Sequence, residues 1–283
     1  MNKNICKRLL VSIFLPKRNW HLLIKELKSF IKQLAQTEKL LAYKLAFDYQ
    51  IDEHIRVTLV VPSKKAAAIA ELTNERLKKF FITKNLLPAL SDNPNRSIFM
   101  PPLNNTLQYG FFSIDEDQNL EILEQAFSTL IIEAFADEKI DDEMIITFAI
   151  YILFDCYKLV KRVGTVAASK WQIYYKSIVN GLTTEEANVQ LIEDQYSLQE
   201  TDLYEIYTNI IDGSALDDIR WIETWEEAFN KACANIALDK HAPLLCAQVN
   251  NIINQQLSLS PNLQIIISSF VLKTIAKSEK INS

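Results

Sequence analysis

The stretch "EHIRVTLVVP", Glu53 to Pro62, decides how the N-terminal part of this chain is read. Taken with a period of two, Ile55, Val57, Leu59 and Val61 fall on one side, and His54, Arg56, Thr58 and Val60 on the other. The first set is a core face. The second puts a histidine, an arginine and a threonine in a row, which is either a solvated face or the lining of a site.

Upstream, Leu41, Tyr43, Leu45, Phe47 and Tyr49 alternate with Ala42, Lys44, Ala46 and Asp48, which predicts a partner strand and a hairpin across Gln50 to Glu53. Trp20, Leu23, Ile24, Leu27, Phe30, Ile31 and Leu34 recur at three and four, so Trp20 to Leu34 reads as an amphipathic helix capped by Asn19. Ile5 to Leu15 reads as a first strand. Ser63 to Phe81 reads as a second helix capped by Ser63. Ser91 to Asn105 is loop-like, and "LQYGFFS", Leu107 to Ser113, is a short strand. Beyond Asn119 the patterns are helical, with further helices over 170–180, 184–194, 203–211, 217–238, 242–256 and 261–277. The expected fold class is α+β: a ferredoxin-like β-α-β-β-α region over residues 1–115, then a mostly helical region over 116–283 packed on it as one compact unit.

Composition narrows the function. With only 4 glycines in 283 residues, there is no G-x-G-x-x-G or G-x-x-x-x-G-K loop to cradle phosphates. A net charge of −5 argues against general nucleic-acid binding. Met144 to Phe154 is apolar, but Asp155 ends it short of the roughly 20 residues of a membrane span, so no membrane association is expected. The start, "MNKNICKRLLVSIFLP", lacks a small-residue cleavage site and reads as a strand rather than a signal peptide. Cys6, Cys156, Cys233 and Cys246 read as free thiols in a reducing cytoplasm. None of His21, His54 and His241 sits at ligand spacing from a cysteine, so neither metal nor cofactor is expected. The acidic run Asp137 to Glu143 reads as an inter-helix loop, the patch Lys7, Arg8, Lys17 and Arg18 as a solvated edge, and Trp221 with Trp225 as core.

A helix starting near a tryptophan, an aromatic strand, "HIR" on the next strand, a Tyr-Gly pair and then helices follow one another along the whole chain. This order resembles the C-terminal domain of class I lanthipeptide dehydratases, which also occurs freestanding as the thiopeptide-type bacteriocin biosynthesis protein. The resemblance implies β-elimination of glutamate from glutamylated serine or threonine in a ribosomally made peptide. In the family, arginines hold the glutamyl carboxylates and a histidine helps move the proton. A carboxylate leaving group suits bidentate guanidinium, and an α-proton needs a base.

The family has an "FFIRY" strand, a strand running histidine, aliphatic, arginine, aliphatic, arginine, an "RYG" element, and near the C-terminus an "H-M" followed by an "N-R". Here "LAFDY" puts Asp48 at the first arginine. "HIRVT" keeps His54 and Arg56 but has Thr58 at the second arginine, and "LQYG" keeps Tyr109 with Gln108 at a third. "AQVNNIINQQ" puts Asn250 at the histidine and Gln255 at an arginine, keeping Asn254. The resemblance thus implies His54, Arg56 and Tyr109 as catalytic residues, and Asp48, Thr58, Gln108, Asn250 and Asn254 as substrate-binding ones.

The missing cations matter. A charge-assisted hydrogen bond is worth about 1.5–3 kcal/mol, so losing three costs several powers of ten in binding or rate. Three roles stay open. The chain eliminates glutamate with a rearranged site. It performs the related cycloaddition between two dehydroamino acids that builds a pyridine ring, which needs fewer charges. Or it is a non-catalytic partner subunit or interaction protein of a larger dehydratase. A precursor peptide is the expected partner, a homodimer is left open, and the expected place is the cytoplasm. Asp48 is expected within diagonal reach of Arg56 across the hairpin.

Overall fold

The computed structural model describes residues 6–49, 52–90, 103–110, 118–182, 186–213, 221–234 and 238–281. Most of the 91–105 loop, the end of the "LQYGFFS" strand and the side chains of Trp221 and His241 lie outside them. The elements run β1 (Cys6–Phe14), α1 (Trp20–Gln36), β2 (Ala42–Asp48), β3 (His54–Pro62), α2 (Ala66–Thr83), β4 (Thr106–Gly110), α3 (Gln118–Phe135), α4 (Asp142–Val163), α5 (Thr165–Leu182), α6 (Glu186–Asp212), α7 (Trp221–Cys233), α8 (Leu238–Leu257) and α9 (Pro261–Ile281). The class is α+β. The chain divides into two compact units, Met1–Asp141 with Gln255–Ser258, and Asp142–Asn254 with Leu259–Ser283.

In the first unit the sheet order is β2-β3-β1-β4, antiparallel throughout, which with α1 and α2 is the ferredoxin-like arrangement. The face carrying Ile55, Val57, Leu59 and Val61 is fully buried, together with Val11, Ile13, Leu45 and Phe47 of the neighbouring strands. Trp20 of α1 stacks on Phe47 at 4.7 Å and donates its indole N–H to the Leu15 carbonyl at 2.7 Å. Fully burying a side chain such as Phe47 contributes roughly 1.5–3 kcal/mol.

The two β-α connections are built alike. Each passes through a proline, Pro16 two residues after β1 or Pro62 at the end of β3, into a 3-10 turn, Lys17–Asn19 or Ser63–Lys65, before the α-helix begins. Asn19 makes no side-chain cap, and the residue that precedes α2 is Lys65 rather than the expected Ser63. Instead, the turn's own hydrogen bonds take up the first free N–H groups, Asn19 N–H to Pro16 O for one. Both helices end in a left-handed residue, Glu38 (φ +50°) and Asn85 (φ +53°). Each end is closed by a six-to-one bond, Lys39 N–H to Leu34 O and Leu86 N–H to Phe81 O.

α3 belongs to the first unit. It lies against the β2 edge, where Ser128 Oγ accepts from the Leu45 N–H at 2.9 Å and Tyr43 and Thr129 hydroxyls meet at 2.7 Å.

The second unit is helical. α4 has the longest run of buried positions, Phe148 to Val160 except Tyr151, and packs against α5, α6 and α9. Trp171 joins Tyr157 and Tyr175, with ring centroids 5.1 and 4.3 Å away. The two helices expected over 184–194 and 203–211 are one, α6, because Tyr196, Leu203, Tyr207 and Ile210 form a single buried stripe through the polar segment between them. α6 stops at Gly213, whose φ of +78° suits glycine. Trp225 is buried, as expected. Within this core Lys158 bridges two carboxylates, 2.7 Å from Asp155 and 2.5 Å from Glu226, and Arg162 reaches Glu226 at 3.4 Å.

Candidate functional site

The register fixes what shares a face. His54, Arg56 and Thr58 of β3 are level with Asp48, Ala46 and Lys44 of β2, and with Phe14, Ser12 and Leu10 of β1. Ser12 is level in turn with Gln108 of β4. One polar row therefore runs Arg56, Ser12, Gln108 across three strands. Tyr109 has the opposite parity. It pairs with Val11 and stands on the helix side, where its hydroxyl donates to Asn74 Oδ1 of α2 at 3.2 Å. Tyr109 and Arg56 thus do not meet. The grouping of His54, Arg56 and Tyr109 in one catalytic set is corrected on this point, because successive side chains of a strand point to opposite faces.

Asp48 is the centre of charge on the polar face. Arg56 Nε lies 3.0 Å from Asp48 Oδ2, an ion pair whose N–H is not aimed along a hydrogen bond. The arginine is a third exposed and the aspartate buried. His54 is pinned. Its Nδ1 lies 2.8 Å from the Asp52 carbonyl, which can only accept, so Nδ1 carries a proton. The ring stacks on Phe14 at 4.6 Å, and Nε2 stands 3.9 Å from Asp48 Oδ2, beyond hydrogen-bond range.

Thr58 is buried, and its cross-strand neighbour Lys44 pairs with Glu124 of α3. The recess between them, shared with Arg8 and Val60, holds about 20 Å³, room for about one water and no substrate group. Gln108 is exposed. Asn250 and Asn254 belong to the second unit. Asn250 hydrogen-bonds the Tyr174 hydroxyl, and Asn254 donates to Gln264 Oε1 at 2.9 Å.

The chain matches solved structures along nearly its whole length. The pyridine synthase TbtD, from thiomuracin biosynthesis, superposes with a TM-score of 0.68 at 10% identity, covering 97% of this chain and 99% of TbtD. TsrL superposes at 0.61 and 9% identity, over 97% and 96%. The tRNA-dependent lantibiotic dehydratase MibB from Microbispora sp. 107891 superposes at 0.57 and 10% identity, over 97% of this chain and 28% of MibB. The chain has the TbtD fold. No family model and no curated protein matches it in sequence. The expected likeness to thiopeptide-type and lanthipeptide dehydratase proteins is borne out in fold.

On that fold the hairpin face carries two cations, each already against a carboxylate: Arg56 faces Asp48, and Lys44 pairs with Glu124 of α3. Such pairs can hold amides and hydroxyls. The face is poorly suited to two carboxylates at once, since Arg56 already faces Asp48 and Lys44 already faces Glu124.

Sequence reasoning missed Ser12 and the Lys44–Glu124 pair. Ser12 was legible from the alternation of Arg8, Leu10, Ser12 and Phe14 against Leu9, Val11 and Ile13. Glu124 was not, because nothing in the chain signals which helix covers the β2 edge. The parity of Tyr109 was also legible: Leu107 and Tyr109 are the apolar side of β4, and Gln108 the polar side.

Proposed function

We propose that this chain takes part in the biosynthesis of a ribosomally made, post-translationally modified peptide, and that it acts on a precursor peptide in the manner of a pyridine synthase rather than by eliminating glutamate. The observation that carries this reading is the Asp48–Arg56 ion pair. Elimination needs cations for the glutamyl carboxylates and a base with a free nitrogen at the α-proton. Here the cation is neutralised by a neighbour. The histidine's unprotonated nitrogen, Nε2, belongs to a ring that is buried and stacked on Phe14, so burial rather than lack of a lone pair keeps it from an α-proton.

A cycloaddition between two dehydroamino acids joins uncharged partners. It gains most from holding two segments of one peptide in register, which hydrogen bonds to amides supply. Coverage of TbtD from end to end supports the same choice. Within this reading Arg56, Ser12 and Gln108 contact the peptide. Asp48 positions Arg56, and His54 is structural. Thr58 packs beneath. The work belongs to the cytoplasm, where such peptides are made. Among the described residues no helix is long and apolar enough to cross a membrane.

The test is a mass-spectrometric assay on two precursor peptides, one bearing a glutamylated serine and one bearing two dehydroalanines. The expected outcome is a ring-bearing product from the second and unchanged mass in the first, with ring formation reduced about tenfold or more in Arg56→Ala, the loss of one charge-assisted contact. Release of glutamate would overturn the reading. Binding of both peptides with no mass change would make the chain a partner subunit of a larger dehydratase.

A further inference from the structure

The polar face of the sheet holds a second cation that stays out of the row of Arg56, Ser12 and Gln108. Lys44 lies on β2 on the same face as Ala46 and Asp48. Arg56 is level with Ala46, so its two diagonal neighbours on β2 are Asp48 and Lys44. Diagonal positions stand about 7–8 Å apart, within the reach of long side chains. Arg56 turns to Asp48. Lys44 turns away from the row, to Glu124 of α3.

The carboxylate that draws it away is firmly placed. Tyr43 and Leu45, the residues flanking Lys44, each fasten α3 to β2. The Tyr43 hydroxyl meets Thr129 at 2.7 Å, and the Leu45 N–H donates to Ser128 Oγ at 2.9 Å. Glu124 stands one turn before Ser128. Its carbonyl accepts from the Ser128 hydroxyl at 2.7 Å and from the buried Gln256 amide at 3.1 Å. The side chains of Lys44 and Glu124 are only 22% and 15% exposed. The bonds at Tyr43 and Leu45 hold α3 without the ion pair, and an enclosed pair adds little net stability because both charges give up water. The pair does change the charge that a ligand meets. Held by Glu124, Lys44 lines the recess shared with Arg8, which is too small for a substrate group. Released, its flexible four-carbon stem carries an ammonium to the row.

We infer that Glu124 is a specificity-determining residue of the proposed peptide site. By holding Lys44 on α3 it withholds the second cation of the hairpin face. The site therefore takes peptides whose reacting residues are uncharged and turns away those that carry a carboxylate there. The inference rests on the reading of this face as the peptide surface and deepens it: part of the selectivity lies in α3, outside the sheet that carries the row.

The test is fluorescence anisotropy on the full chain with two labelled peptides. Both carry one dehydroalanine; the second reacting position is alanine in one and glutamate in the other, so neither can close a ring. The wild type is expected to prefer the alanine peptide. Glu124→Gln shifts the ratio of affinities about tenfold or more toward the glutamate peptide, the worth of one charge-assisted contact. Adding Lys44→Met to Glu124→Gln removes the shift, because the released ammonium is its source. A merely structural pair would move the melting temperature and leave the ratio where it was. Should Glu124→Gln not fold, Lys44→Met alone carries the test: it leaves the Glu124 carboxylate without its cation, and the glutamate peptide binds several-fold weaker relative to the alanine peptide. An unchanged ratio in the single variants, or a shift that survives in the double variant, overturns the inference. Binding of neither peptide by the wild type overturns it together with the reading of the face. The ratio is read without turnover, so failure to form a ring from two dehydroalanines counts against the pyridine-synthase reading alone.

Discussion

Asp48 with Arg56 in the sheet unit, and Asp155, Lys158 and Glu226 in the helical unit, are both carboxylate–cation clusters, yet they are enclosed to different degrees. Arg56 keeps a third of its side chain in solvent while its partner is buried. Lys158 and Asp155 are both sealed, with side-chain exposures of 4% and 0%. The sealed cluster is the costlier to assemble, because both charges leave water. It can do no chemistry on a substrate, because no substrate reaches it. The half-open pair can touch a ligand and is cheaper to disturb. Burial of the cation, more than the number of charges, separates a structural cluster from a candidate site.

The comparison is broken most forcefully at Lys158. Replacing it with methionine leaves Asp155 and Glu226 facing each other without their cation. It should cost about 3–5 kcal/mol, the usual result of removing one member of a buried pair. A shift in the urea midpoint measures it, and a loss under about 1 kcal/mol would mean that the cluster is hydrated.

The half-open pair should respond asymmetrically. Arg56→Met strips the buried Asp48 of its cation and is expected to cost about 1.5–3 kcal/mol. Asp48→Asn leaves an arginine that can turn to water, and should cost less. Equal losses in the two variants would show that Arg56 is as sealed as its partner.

The smallest effect is one of pH. Burial, against the pull of Lys158, lifts Asp155 from its ordinary 3.8 to about 6. The folded chain thus binds a proton below about pH 6 that the unfolded chain takes up only near 3.8, so this group's contribution grows as pH falls through that window. Glu226 runs the other way. Although burial opposes it, Lys158 and Arg162 hold it below its ordinary 4.5, so its contribution is lost only at lower pH. Stability should rise modestly from pH 6.5 to about 4.5 and then fall. Asp155→Asn should flatten the rise. Denaturation at stepped pH measures both, and a monotonic fall from pH 6.5 would contradict the assignment.

Much of the first unit was legible because strands and helices there carry clean periods. The alternation in Ile55 to Val61 and the three-four spacing in Trp20 to Leu34 each describe one face buried against one layer. The Asp48–Arg56 contact was legible too, since the short hairpin fixes the register. The continuity of α6 was not. Its middle is polar on most sides, and only tertiary burial of Tyr196 and Leu203 carries the helix through. The site was legible as a set of positions and not as a place. Family order names His54, Arg56 and Tyr109 together, but the parity of a strand separates Tyr109 from the other two.

Strand β1 is central, held by β3 on one side and β4 on the other, although it comes first in sequence. During synthesis it leaves the ribosome with neither neighbour made. The β2–β3 hairpin can close locally, but β1 waits for residues 54–62 and then for 106–110. Long-range pairing of this kind is slow. Until Gly110 has emerged, one apolar edge of the nascent sheet stays open to other chains, so the ribosome-bound intermediate is the form of this protein most in need of a chaperone.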